Sequence, residues 1–147
     1  NMCIGSVYMG IIETKEKLRK LLCSFHIHPD CLEEIIKGFK KKRGNDVKLL
    51  AVFEAQFENL KKYGATAVNV FSNDKFEDLK YKKAENICSM HIDTSEVNYR
   101  ILYSCLEDGT VLLHGFFEKA GKRKTDYTDA IPKAQKRLAE WKESHHD

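Results

Sequence analysis

Two kinds of side-chain cluster in this sequence are equipped for chemistry. Cations gather at Lys40 to Arg43, at Lys80 with Lys82 and Lys83, and at Lys122 to Lys124. Such groups hold phosphate oxygens where a fold makes them converge, and elsewhere they form solvated faces. Cys23, His26, His28 and Cys31 lie within nine residues of one another and all four are zinc-competent. Usual zinc spacings pair two close ligands with two distant ones, whereas here all four would have to fold back in one turn. Helix-core and loop positions explain them as well, so the preferred expectation is no metal and no cofactor. His114 stands inside an apolar run, where a hydrogen-bonded core or edge histidine is expected.

The elements that must position these groups follow from hydrophobic period. Leu18, Leu21, Leu22 and Phe25 recur at helical spacing, predicting a first helix over about 14–24. His28-Pro29 interrupts it; Asp30 with Glu33 reads as a capping box for a second helix bearing Leu32, Ile35, Ile36 and Phe39. Leu50, Phe53, Phe57 and Leu60 form a third stripe, closed by Tyr63-Gly64. After Gly64 the pattern becomes strand-like, over 65–71, 87–92, 99–106 and 111–117. Asp108-Gly109 between the last two runs predicts an antiparallel hairpin. Ile131, Ala134, Leu138 and Trp141 predict a closing helix that tolerates Pro132 only in its first turn.

Helices, then a sheet, then a helix predict an α+β domain: N-terminal helices, an antiparallel sheet of about four strands and a C-terminal helix. Residues 1–44 are expected to be an N-terminal helical extension that packs on, or projects from, a domain over 45–147. With 147 residues, 42% hydrophobic and 32% charged, the chain has enough apolar surface for one packed core, which excludes a wholly disordered polypeptide. A net charge of +3 decides nothing about nucleic acid without the positions of the charges. No apolar run approaches the roughly 18 to 20 residues that span a bilayer, and residues 2–12 lack a basic leader pattern. Five cysteines in no regular framework suit a reducing compartment. A cytoplasmic location without membrane partners is the expectation.

The order Asn98-Tyr99-Arg100-Ile101-Leu102-Tyr103, then Leu112-Leu113-His114-Gly115-Phe116-Phe117, then Gly121-Lys122-Arg123, with Tyr127 and Ala130 continuing into the last helix, resembles the RelE/HigB family of toxins, especially its phage-derived HigB-like branch. The resemblance is strongest over 98–141, weaker over 46–97, and does not extend to 1–44. It implies a RelE-like α+β fold and the toxin of a type II toxin–antitoxin pair, an endoribonuclease that cuts mRNA, usually on the ribosome, without metal. It also implies a cognate antitoxin, expected to be of helix-turn-helix type, that inhibits by covering the basic face.

By that resemblance Arg100 is the strand arginine, Arg123 the loop arginine and Tyr127 the tyrosine before the final helix. His91 falls where relatives carry a basic residue on the preceding strand. Lys119, Lys122, Lys124, Lys82 and Lys83 are the expected RNA-binding cations. This chain has Glu118-Lys119 where relatives often carry paired lysines, and Ser89-Met90-His91 where they often carry Glu-Leu-Arg. The alternative expectation is therefore a catalytically degenerate RelE-like domain that binds RNA, the ribosome or a protein partner. Metal-free cleavage needs the 2′-hydroxyl activated, the phosphorane charge neutralised and the 5′-oxygen protonated, tasks for an imidazole or phenol and for guanidinium groups. Arg100 and Arg123 are accordingly expected to open onto one concave face, with helices covering the other.

Overall fold

The structure, a computed structural model, describes residues 15–40, 46–118 and 125–145. It is α+β. A helix over 15–22 (α1) leads into strand β1 (His26–Ile27), helix α2 (Pro29–Lys40) and helix α3 (Val47–Tyr63). A short helix α4 (Ala67–Val70) precedes strand β2 (Phe76–Asp78), a 3-10 turn over Leu79–Lys82, and strands β3 (Cys88–Asp93), β4 (Asn98–Leu106) and β5 (Gly109–Phe117); helix α5 (Ala130–Ser144) closes the chain. The strands form one sheet in the order β1-β5-β4-β3-β2, antiparallel except for the parallel β1–β5 pair.

Strand alternation sends successive side chains to opposite faces, and here the two faces carry two cores. Phe76, Met90, Ile92, Tyr99, Ile101, Tyr103 and Leu112 meet Leu18, Leu21, Ile35, Leu50, Phe53, Phe57 and Leu60 from α1, α2 and α3. Leu102, Val111 and Leu113 meet Ala134, Leu138 and Trp141 of α5, with Leu79, Ala84 and Ile87 beside them. Helix α5 packs on β4 and β5. The α5-side face of β2 and β3 is therefore left for polar groups. Of the two placements open for the N-terminal helices, their described part packs onto the sheet, and His28 N–H donates to the Leu112 carbonyl at 2.9 Å.

Four expectations need correction. Residues 65–71, predicted as a strand, wind through a 3-10 turn into α4, because Tyr63 and Ala67 tie this segment back to α3 and Gly64 turns it at a φ of 50°. The sheet has five strands and is mixed, because the two-residue β1 adds a parallel pair too short to show a period. Asp30 lies in the first turn of α2 and does not cap it; the His28 imidazole accepts from Asp30 N–H at 3.2 Å, with Pro29 at the helix start. The hairpin turn is centred on Glu107-Asp108, since Leu106 pairs with Gly109, and the positive φ of 134° falls on Gly109.

One close contact lies within the sheet, and a second joins the helices on its two sides. The Tyr99 ring lies over Gly115: a Cβ there would overlap the Tyr99 hydroxyl and stand 3.1 Å from its Cζ. The Tyr99 hydroxyl is buried with no hydrogen-bond partner among the described residues. Gly115→Ala is expected to destabilise by about 1–3 kcal/mol through overpacking, while Tyr99→Phe, which removes an unsatisfied group, is near neutral. Tyr99→Phe should recover part of the Gly115→Ala loss in a denaturation double-mutant cycle; strictly additive effects would remove this contact from the account.

The second contact is Glu34 of α2. It accepts from Arg137 of α5 at 2.7 and 3.1 Å and from Gly115 N–H at 3.1 Å, and lies 3.0 Å from His114 Nδ1. Burial alone would raise its pKa, but hydrogen bonds from His114 and Arg137 outweigh it and take the carboxyl from 4.5 to about 2. A depressed carboxyl contributes stability that is full above 4.5 and is lost as pH falls towards about 2. Urea midpoints measured across that window should fall more steeply for the wild-type chain than for Glu34→Gln, and parallel curves would contradict the assignment.

Candidate active site

The register of three short strands assembles a polar cleft on the α5-side face. Glu77 pairs across from Ser89, and His91 across from Arg100. Alternation places all four on the face opposite Phe76, Met90, Ile92, Tyr99 and Ile101. Tyr127, anchored in the second core one turn before α5, enters from above. The resulting cleft of about 450 Å³ is lined by Asn73, Asp74, Glu77, Tyr81, Lys82, His91, Asp93, Asn98, Arg100, Thr125 and Tyr127.

Its centre is a carboxylate, an imidazole and a phenol in mutual contact. His91 Nε2 lies 3.0 Å from Glu77 Oε1 and 3.2 Å from the Tyr127 hydroxyl. Tyr127 donates to the same Glu77 oxygen and is 2.8 Å from the Ser89 hydroxyl. Tyr81 donates to Glu77 Oε2 at 2.9 Å. Burial pushes the Glu77 carboxyl up, yet its hydrogen bonds with His91, Tyr127 and Tyr81 prevail and hold it below the ordinary range, so it is ionised at neutral pH. Burial, then the adjacent Glu77, push the Tyr127 phenol well above its ordinary value. Tyr81 is pushed up to about 12, by desolvation first and Glu77 second. With Glu77 an acceptor, Nε2 of His91 is the proton-bearing nitrogen, and Nδ1 has no hydrogen bond among the described residues. The strand carrying His91 is fixed from behind, where Gln56 of α3 donates to the His91 carbonyl at 2.8 Å.

Arg100 is only 6% exposed. Its Nε donates to Thr125 Oγ1 at 3.0 Å; Nη1 donates to the Asp93 carboxylate and, at 3.2 Å, to the Tyr99 carbonyl. The guanidinium is thus oriented into the cleft wall with Nη2 unengaged among the described residues. Anion binding at this position would compete with Asp93.

Three of the four sequence-named catalytic positions, His91, Arg100 and Tyr127, converge here, and Lys82 lines the same cleft. Lys83 lines an adjoining one. Arg123, Lys119, Lys122 and Lys124 lie outside the described residues, as does most of the basic run at 40–43. Sequence pattern does not single out Glu77, Asp93, Thr125 or Tyr81. The only available signal near Glu77 is the turn cluster Ser72-Asn73-Asp74 that precedes it. His114 is buried against Glu34 and serves packing.

The Cys/His cluster does not assemble. His28 faces Glu140 at 3.4 Å, His26 lies 3.2 Å from the Asp108 carbonyl, Cys23 is exposed, and Cys31 is buried in the first core with its thiol pushed far up by desolvation. No grouping of three or more His, Cys, Asp or Glu side chains suited to a metal occurs among the described residues. Within those residues no helix is long and apolar enough to cross a membrane. No family model, curated protein or solved structure matches this chain.

The couple makes a spectroscopic prediction. Glu77→Gln removes one of the two influences raising the Tyr127 pKa and leaves burial in place. Tyr127, isolated as the phenolate absorbance difference from Tyr127→Phe in each background, should ionise at lower pH in Glu77→Gln than in the wild-type chain, though still above an ordinary tyrosine. An unshifted titration would separate the two groups.

Proposed function

We propose that the chain is a metal-independent endoribonuclease, the RelE/HigB-like toxin of a toxin–antitoxin pair, acting on mRNA in the cytoplasm in association with ribosomes. The observation that carries this reading is the convergence of Glu77, His91, Tyr127 and Arg100 in one cleft. Acid–base and charge-stabilising groups at hydrogen-bond spacing are what RNA transesterification needs.

In this reading His91 takes the proton from the ribose 2′-hydroxyl as its oxygen attacks the adjacent phosphorus. The bond from phosphorus to the 5′-oxygen breaks, and that oxygen takes a proton from solvent water while the imidazolium returns its own to solvent, giving a cyclic phosphate and a free 5′-hydroxyl. Glu77 orients the imidazole and offsets its positive charge. Tyr127 keeps its proton and, exchanging its bond to Glu77, donates its one hydrogen bond to a phosphoryl oxygen. Arg100 neutralises the phosphorane, exchanging part of its Asp93 contact for phosphate.

Charge count points to a need for further cations in this reading. Glu77, Asp74 and Asp93 outnumber Arg100 and Lys82 among the charged groups lining the cleft, which would repel RNA. Glu118 N–H donates to the Asn98 carbonyl at 2.8 Å, and Thr125 Oγ1 accepts from Arg100. In this reading Lys119, Lys122, Arg123 and Lys124, which lie outside the described residues, are the expected RNA-binding cations. An antitoxin would inhibit most directly by covering them.

Induced expression should arrest translation, with new mRNA ends mapped by primer extension and products carrying cyclic phosphate. His91→Ala, Arg100→Ala and Arg123→Ala should each lower cleavage by about a hundredfold or more, the effect of losing about 3 kcal/mol of transition-state stabilisation. Lys133→Ala, on an exposed turn of α5, should cleave as the wild type does. Chelator should leave cleavage intact. Folded wild-type protein that cuts no RNA, with or without ribosomes, would transfer the case to an RNA- or ribosome-binding domain without nuclease activity.

A further inference from the structure

Tyr81 is large, aromatic and 67% exposed, yet it is not loosely placed. It sits in the 3-10 turn over Leu79–Lys82, where Asp78 caps Lys80 N–H at 3.0 Å and Leu79 N–H reaches the Ile87 carbonyl at 3.0 Å. Leu79 is fully buried, and Lys83 closes the turn in the left-handed region at a φ of 62°. The ring is fixed again by its hydroxyl bond to Glu77.

Tyr81, Lys82 and Tyr127 are shared between the acid–base cleft and a second cleft of about 410 Å³, whose other walls are Lys83, Thr128, Ile131 and Pro132. Lys82 Nζ stands 5.6 Å from the Tyr81 ring centroid. A rigid exposed ring, an apolar wall and two ammonium groups are the parts of a single-strand nucleic-acid subsite, in which a base stacks and its phosphate is held by a cation.

We infer that Tyr81, with Ile131 and Pro132 beside it, forms a nucleobase-stacking subsite for single-stranded RNA next to the acid–base cleft, with Lys82 and Lys83 holding the flanking phosphate. The inference rests on the nuclease reading above and names how its substrate is held. Because the Tyr81 hydroxyl also supports Glu77, the residue has two separable roles: its ring binds, and its hydroxyl positions the carboxylate.

The test uses the full chain and two fluorescently labelled oligonucleotides of equal length. One is fully 2′-O-methylated RNA, which cannot be cleaved because its 2′-oxygen carries no proton; the other has the same backbone without bases. Anisotropy should show the base-bearing strand binding about tenfold tighter than the abasic one, an advantage lost in Tyr81→Ala and kept in Tyr81→Phe. Lys82→Ala should weaken both strands alike. In cleavage of unmodified RNA, Tyr81→Phe should lower kcat with KM preserved, whereas Tyr81→Ala raises KM as well. If Tyr81→Ala, shown folded by circular dichroism, keeps the full base-dependent advantage, the subsite is wrong while the nuclease reading stands. A Tyr81-dependent advantage in a protein that cuts nothing would retain the subsite and sink the nuclease; binding of neither strand by the wild type would overturn both.

Discussion

The constraint on which this structure turns is the unequal covering of one sheet. On one face α1, α2 and α3 bury the strands with aliphatic and aromatic side chains. On the other, α5 reaches β4 and β5 but leaves β2 and β3 to polar residues. Alternation then requires each of these strands to be apolar on one side and polar on the other. Met90 and Ile92 anchor β3 while Ser89 and His91 face the cleft; Tyr99 and Ile101 anchor β4 while Arg100 does. A slip of one residue in register would bury the charges and expose the core, so packing energy on the helical face fixes the geometry of the polar face.

The parts legible in the sequence are those with enough residues to show a period. The stripes of α2, α3 and α5, the β4–β5 hairpin and β3 all lie close to their predicted positions. Arg100, His91 and Tyr127 could be named because they lie on or beside such elements in a familiar order. Glu77 could not, because β2 is three residues long and a three-residue strand has no measurable alternation. Residues 65–71 misled for the opposite reason: their composition favours a strand, but the chain there is leaving α3 and tertiary packing of Ala67 and Val68 decides. Asp93 and Thr125 acquire meaning only through Arg100, a partnership separated by 25 residues on one side that no local pattern encodes.

Arg100 shows how the fold holds a buried cation in one orientation. An arginine this enclosed would be costly without partners, and Asp93, Thr125 and the Tyr99 carbonyl supply them. These contacts also fix the direction of the guanidinium before any ligand arrives. Asp93 has a further consequence in the proposed reading: its carboxylate competes with phosphate for the guanidinium.

The assignment of proton-moving roles follows from how far the environment separates neighbouring groups. Glu77 is held in its ionised form by three donors, and Tyr127 in its neutral form by burial and by Glu77. A depressed carboxyl is a weak base, and a raised phenol is a weak acid. Neither is suited to accept or release a proton at neutral pH, although each is well suited to hold a fixed hydrogen bond. Imidazole is the side chain whose charge changes near that pH, and His91 is the imidazole that both groups touch. With Nε2–H donating to the carboxylate, Glu77 fixes the orientation of the ring, and in the proposed mechanism the other nitrogen does the chemistry. An arginine at position 91, permanently charged, would form the same ion pair with Glu77 but could not exchange a proton. In the proposed mechanism, then, His91 at Ser89-Met90-His91, where the pattern this sequence resembles often has Glu-Leu-Arg, can carry the acid–base role.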